Sequence, residues 1–104
     1  HVDAVATCIS VEAKDGSWEY VFRFDPRFAE LLIEKGSVSV NGTSLTCFNV
    51  TGDSFTVAII PYTYDHTSIR QLQAGTEVNI EFDMVGKYVV RSLHINNRPD
   101  LGKS

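Results

Sequence analysis

Between Asp15-Gly16 and Pro26, four large aromatic residues, Trp18, Tyr20, Phe22 and Phe24, alternate with Glu19, Val21, Arg23 and Asp25. Alternation is the side-chain period of an extended strand and not of a helix, so the four rings share one face. A row of rings that size needs cover from water, and the face they share becomes one wall of a hydrophobic core. The stripe is therefore read as core and not as a platform for stacking a ligand.

The rest of the chain supplies partners for that strand. Residues 2–11 are rich in Val, Ile, Thr and small side chains and precede the Asp15-Gly16 turn signal, which makes them a first strand. Strands over 37–40 and 43–50 flank Asn41-Gly42, the dipeptide best suited to a type I′ hairpin because both of its central residues need positive φ. Gly52-Asp53 turns the chain into a strand over 54–60, which Pro61 ends by removing a ladder donor. After Gly75 a last strand covers 77–82.

Helical spacing is local. Pro26 opens a short helix over 27–35, where Phe28, Leu31 and Leu32 recur at helical intervals and Gly36 supplies the stop. Residues 62–72 read as a loop with a short helical turn, and Val85, Tyr88, Val89 and Leu93 as a closing amphipathic helix. The segment from Asn96 onward is polar and contains Pro99 and Gly102, which predicts a frayed tail over 96–104.

These elements predict a mainly β fold: a small six-stranded antiparallel, Greek-key-like barrel with short helices, spanning residues 1–95. Closure removes exposed strand edges, which favours a barrel over the alternative, a flattened sandwich. With 104 residues the chain can close one hydrophobic core but not two. No internal repeat, low-complexity tract or interior linker is visible.

Several function classes are excluded. The net charge is −4, and Arg23, Arg27, Lys35, Arg70, Lys87 and Arg91 are spread among acids, so there is no concentrated basic face for nucleic acid. No apolar run approaches the roughly 20 residues that span a bilayer, and no charged start leads into an apolar stretch. Cys8 and Cys47 have neither CxxC spacing nor a disulfide framework, which predicts reduced thiols and a cytoplasmic protein. The sequons at Asn41 and Asn49 are short enough to arise by chance. His1, His66 and His94 show no metal-ligand spacing, so no metal is assigned. A hydrolase built from Ser44, His66 and Asp83 lacks the GxSxG elbow.

The densest signal is the run from Lys35-Gly36-Ser37 through Asn41-Gly42-Thr43-Ser44-Leu45-Thr46, followed by Ile59-Ile60-Pro61-Tyr62-Thr63. With His1-Val2-Asp3 at the start and Val78 to Asp83 ahead of Lys87-Tyr88-Val89, it resembles the riboflavin synthase family, in the right order and from His1 to about Leu93. That family has two similar barrels per chain, and a GHVD-type opening marks the second. This chain begins at the histidine of that motif and so resembles an isolated C-terminal barrel without its N-terminal partner. Departures are Tyr62 inside the IPxT element, Cys47 after SLT, and Val90 where the family often has Glu.

The resemblance implies binding of 6,7-dimethyl-8-ribityllumazine or riboflavin, no cofactor, and a homotrimer as the full-length parent. Two lumazines are dismutated by transfer of a four-carbon unit. It implies that Ser44, Leu45 and Thr46 present hydroxyl and backbone groups to the ring, that Ile60, Pro61, Tyr62 and Thr63 line the opposite wall, and that Tyr64 and Asp65 approach the ribityl chain. His1, beside Val2, takes part in proton transfer with Ser44 or Thr46, Asp83 adds polar contacts, and Lys35 reaches a ligand held by a neighbouring barrel.

Blander readings stand beside these. Ser44 and Thr46 also suit cross-strand pairing, His66 and His94 suit the surface, Asp83 suits a helix cap and Lys35 a helix C-terminus. Two other functions compete with the enzyme. One is a non-catalytic lumazine or flavin carrier on the same barrel, and the other an OB-like nucleic-acid module, which the charge and the inward aromatics disfavour.

Overall fold

The computed structural model describes residues 3–82; the helix expected over 85–93 and the tail over 96–104 lie outside them. The strands are β1 (Asp3–Lys14), β2 (Ser17–Phe24), β3 (Ser37–Val40), β4 (Thr43–Phe48), β5 (Ser54–Ile59) and β6 (Glu77–Phe82). They close a barrel in the order β1-β2-β5-β4-β3-β6, with every neighbouring pair antiparallel. Mainly β, six-stranded and closed, this is the architecture that the alternation and turn signals predict.

Tyr20, Phe22 and Phe24 point inward and are at most 4% exposed. Phe22 lies opposite Phe55 in the β2–β5 register, with ring centroids 5.4 Å apart, and both rings are sealed from water. Burying such a ring contributes about 1.5–3 kcal/mol. Trp18 departs from the expectation for the stripe: it is half-buried, and its ring stacks on Tyr64 with centroids 3.7 Å apart and planes 8° apart. Trp18 pairs with Ile59, the last residue of β5, and the chain beyond Ile59 folds back to bring Tyr64 over it.

The hairpin forms as expected, with Asn41 at φ 48° and Gly42 at φ 87°. The expected helix over 27–35 is instead a 3-10 helix, Pro26–Leu31, capped by Asp25, whose carboxylate accepts from the Arg27 N–H. It cannot continue because Leu32 is extended and buried, while the Lys35 N–H donates to the Cys47 carbonyl at 2.7 Å and the Gly36 carbonyl accepts from Cys47 N–H at 2.9 Å. The left-handed residue there is Lys35, at φ 66°, and not Gly36. Three strand ends also shift: β1 runs on to Lys14, β4 stops at Phe48 because Asn49 turns to φ 51°, and β5 stops at Ile59. Pro61 does more than end β5, since it opens a short helix, α1 (Pro61–His66), which is followed by a 3-10 helix, Ser68–Gln71.

Although no repeat is visible in the sequence, the backbone contains one. Residues 32–40 and 72–80 repeat the same hydrogen bonds: Leu32 N–H to Ala29 and Leu72 N–H to Ile69, then Gly36 N–H to Ile33 and Thr76 N–H to Gln73. Lys35 and Gly36 exchange bonds with Cys47 on β4 as Gly75 and Thr76 do with Cys8 on β1. Exchanging β1 with β4, β2 with β5 and β3 with β6 reproduces the same ring of strands. Only apolar positions betray this in sequence: Leu32 and Leu72, Val38 and Val78, Val40 and Ile80, all buried. The shared positions are the packed ones, and the residues between them differ.

Candidate ligand groove on the outer face of β4 and β5

The β4–β5 register pairs Cys47 with Val57 and Phe48 with Thr56. Cys47 and Val57 point into the core with no exposure, so Thr46 and Ala58 beside them point outward, while Thr56 is itself buried. Continuing the alternation places Thr46 beside Ala58 and Ser44 beside Ile60, and all four are exposed. On the other flank, Thr46 faces Ser37 and Ser44 faces Ser39 across the β3–β4 ladder, which gives this side of the barrel a band of hydroxyls.

An open groove of about 520 Å³ lies on this face, lined by Glu34, Lys35, Thr46, Phe48, Asn49 and Ala58. Its volume lies in the range that accommodates a small organic ligand. Its chemistry is mixed. Phe48 and Ala58 offer apolar surface, Thr46 a hydroxyl, and Lys35 and Glu34 opposite charges at one end. Glu34 accepts from the N–H groups of Asn49 and Val50, each at 2.9 Å, and these bonds hold its carboxyl below the usual range, with a smaller contribution from Lys35. A second groove, of about 380 Å³, lies on the β3–β6 side and is lined by Ser39, Gly42, Asn79, Ile80 and Glu81.

Of the residues singled out from sequence, Lys35 and Thr46 line the larger groove, and Ser44 and Ile60 lie on the same face. Leu45 is half-buried against the core, so it offers this face only its backbone. Pro61, Tyr62, Thr63, Tyr64 and Asp65 are all in α1. Tyr62 is 68% exposed and stacks on His66, whose Nδ1 lies 2.8 Å from the Tyr62 carbonyl. The Tyr64 ring is taken up by Trp18, and the Thr63 carbonyl accepts from the Thr67 hydroxyl. Asp65 is exposed, and its carbonyl accepts from Arg70. His1, Val2 and Asp83 lie outside the described residues.

Sequence reasoning missed Glu34, Phe48, Asn49 and Ala58. Carrying the alternation onward from Ser44 and Thr46 reaches Phe48, and backward from Ile60 reaches Ala58. Nothing local marks Glu34, whose partners are far along the chain. Cys8 and Cys47 are buried free thiols, and burial pushes both thiol pKa values up. Among the described residues, no cluster of acids, histidines and cysteines could hold a metal, and no helix is long and apolar enough to cross a membrane.

The family model for the lumazine binding domain matches residues 1–83. The chain belongs to the lumazine-binding domain family. It is 41% identical over 97 residues to riboflavin synthase of Bacillus subtilis (strain 168), covering 93% of this chain and 45% of that protein. To the riboflavin synthase of Photobacterium phosphoreum it is 38% identical over 100 residues, covering 96% and 46%. To that of Saccharomyces cerevisiae it is 31% identical over 108 residues, covering 99% and 45%. This lumazine-binding domain thus spans about half the length of the curated relatives it matches. Among solved structures, the crystal structure of LumP complexed with 6,7-dimethyl-8-(1'-D-ribityl) lumazine superposes with a TM-score of 0.69 at 23% identity, covering 78% of this chain and 45% of that one. At that identity the likeness speaks for the barrel fold alone.

Proposed function

We propose that this chain is the C-terminal lumazine-binding barrel of a riboflavin synthase and that the outer face of β4 and β5 holds 6,7-dimethyl-8-ribityllumazine or riboflavin. The observation that carries this reading is the groove itself, where Thr46 and Lys35 meet on one exposed face in a chain of this family. Ser44 and Thr46 present hydroxyls and Leu45 its backbone to the polar edge of the ring. Ile60, Pro61, Tyr62 and Thr63 form the opposite wall, with Tyr64 and Asp65 toward the ribityl chain. Val2 and Asp83 complete the contacts, and Lys35, which lines this groove, touches the ligand held there and also reaches one on a neighbouring barrel.

The chemistry asks little of the protein beyond placement. A ring methyl of the lumazine is acidic because its carbanion delocalises into the pteridine, so a modest base suffices. His1 takes that role together with Ser44 or Thr46, since an imidazole can both accept and donate a proton near neutral pH. One lumazine gives up a four-carbon unit to the other, leaving riboflavin and a ribitylamino-pyrimidinedione, with no cofactor. Holding two rings face to face supplies up to about 7–11 kcal/mol of the acceleration. One barrel presents one ring, so the efficient catalyst is a cytoplasmic parent that adds the N-terminal barrel and assembles as a homotrimer, while this chain alone turns over slowly. Neither nucleic acid nor a membrane is a partner.

Flavin fluorescence titrated with this chain should show saturable quenching. No saturable change up to high micromolar protein would overturn the binding reading. Steady-state riboflavin formation separates the roles: a two-barrel parent turns the lumazine over, whereas a carrier binds it without turnover. A rate from this chain alone equal to that of the two-barrel parent would sink the shared-site argument.

A further inference from the structure

Glu34 lines the groove but has no part in the ligand contacts proposed above. Its side chain is exposed, yet both carboxylate oxygens are engaged: Oε2 accepts from the Asn49 N–H and Oε1 from the Val50 N–H, each at 2.9 Å. A carboxylate bridging two successive amides makes charge-assisted bonds with a fixed direction. Because the group is fully open to water, its effect is on geometry more than on stability.

What it fastens is unusual. Lys35 and Asn49, on either side of the clamp, are both non-glycine residues in the left-handed region, at φ 66° and 51°. Asparagine tolerates left-handed backbone, but for a lysine it is unfavourable and persists only where surrounding bonds over-determine it. In the repeated turn of the other half, the position of Lys35 is held by Gly75 at φ 95° and that of Glu34 by Ala74, which has no carboxylate to offer. Lysine replaces glycine where a carboxylate ties the turn down, and that is also where Glu34, Lys35 and Asn49 line the groove together.

We infer that Glu34 is a positioning residue: its carboxylate ties the Lys35 turn to Asn49-Val50 at the end of β4, holding one wall of the groove and the base of the Lys35 side chain in place. The inference rests on reading this groove as the lumazine or flavin site.

Glu34→Gln is the discriminating variant, since an amide keeps the size but presents one acceptor and one donor to two N–H groups. Riboflavin binding to the chain should weaken about five- to tenfold with little change in melting temperature. Lys35→Ala should weaken it similarly, and the double variant should lose little more than either single one, because Glu34 acts through Lys35. Unchanged affinity in Glu34→Gln, or losses that add fully in the double variant, would overturn the inference. Amide hydrogen exchange of the ligand-free chain keeps it testable if riboflavin does not bind at all, an outcome that would count against the site and not against the clamp. The Lys35 amide, bonded to Cys47, should exchange faster in Glu34→Gln, and an unchanged rate would overturn the positioning role.

Discussion

The turn at residues 34–36 and the turn at 74–76 make the same backbone hydrogen bonds to opposite sides of the barrel, but their exposed chemistry differs. The first carries Glu34 and Lys35, bonds to Cys47 and borders the larger groove; the second carries Ala74 and Gly75 and bonds to Cys8. Gly75 adopts its positive φ freely, whereas Lys35 adopts it against its own preference. The backbone repeat gives both halves the same frame, and the candidate groove is lined by side chains that the repeat does not share. A fold built twice can therefore carry the candidate site once.

If stability is shared between the halves, equivalent deletions in each should cost the same. Phe22 on β2 and Phe55 on β5 are paired in register and fully buried. Phe22→Ala and Phe55→Ala should each destabilise the domain by about 3–5 kcal/mol in urea or thermal unfolding, the largest effects expected here. A cost confined to one of them would mean that the core is centred in one half and that the backbone repeat has no energetic counterpart.

The same contrast explains what was legible in the sequence. Every strand was, because a sheet with one face inside forces alternation onto its residues, and Asn41-Gly42 fixed its hairpin through backbone sterics alone. The helix over 27–35 was misjudged because Phe28 and Leu31 recur at helical spacing, while the bonds that end the helix come from Cys47 on another strand. Trp18 belongs to the aromatic stripe by spacing, but the residue that claims its ring, Tyr64, arrives by tertiary folding. Within the candidate site, Ser44 and Thr46 were marked by motif, and Phe48 and Ala58 could be reached by alternation. Glu34 could not be reached from its neighbours, since its two acceptor bonds run to Asn49 and Val50. The repeat was hidden because only its buried positions kept their character.

Exchanging the two turn residues sharpens the comparison at smaller amplitude. Gly75→Lys forces a side chain into a left-handed position that has open space around it, so the cost is conformational and about 1 kcal/mol. Lys35→Gly relieves the same strain and should stabilise by a similar amount in chemical denaturation, while weakening riboflavin binding. Opposite signs at equivalent positions would identify Lys35 as retained for the site at the expense of stability. A destabilised Lys35→Gly would show instead that the lysine stem packs as a structural element, and the two turns would no longer be comparable.

An effect no larger at neutral pH concerns the remaining asymmetry across β2 and β5, where Tyr20 stands opposite Val57. Tyr20 is 1% exposed, and among the described residues its hydroxyl has no hydrogen-bond partner, so within them burying that group is a cost. Tyr20→Phe keeps the ring and removes that liability, which should raise stability at neutral pH by about 1 kcal/mol. Burial, with smaller contributions from Tyr64 and Cys8, pushes the Tyr20 phenol up to about 12 from the ordinary value of 10.0. Below about pH 10 the phenol is protonated in both folded and unfolded chains and adds no pH dependence. As the pH rises toward 12, the unfolded chain releases this proton while the folded barrel retains it, so ionisation favours unfolding and stability is lost through that window. Tyr20→Phe should remove this part of the alkaline loss, and its advantage over the parent should grow from pH 10 to 12. Denaturation followed by the fluorescence of the single tryptophan, Trp18, measures both effects in one series. A variant less stable than the parent at pH 7 would reveal a partner for the hydroxyl, and an advantage that stays constant with pH would show that the buried phenol does not govern the alkaline limb.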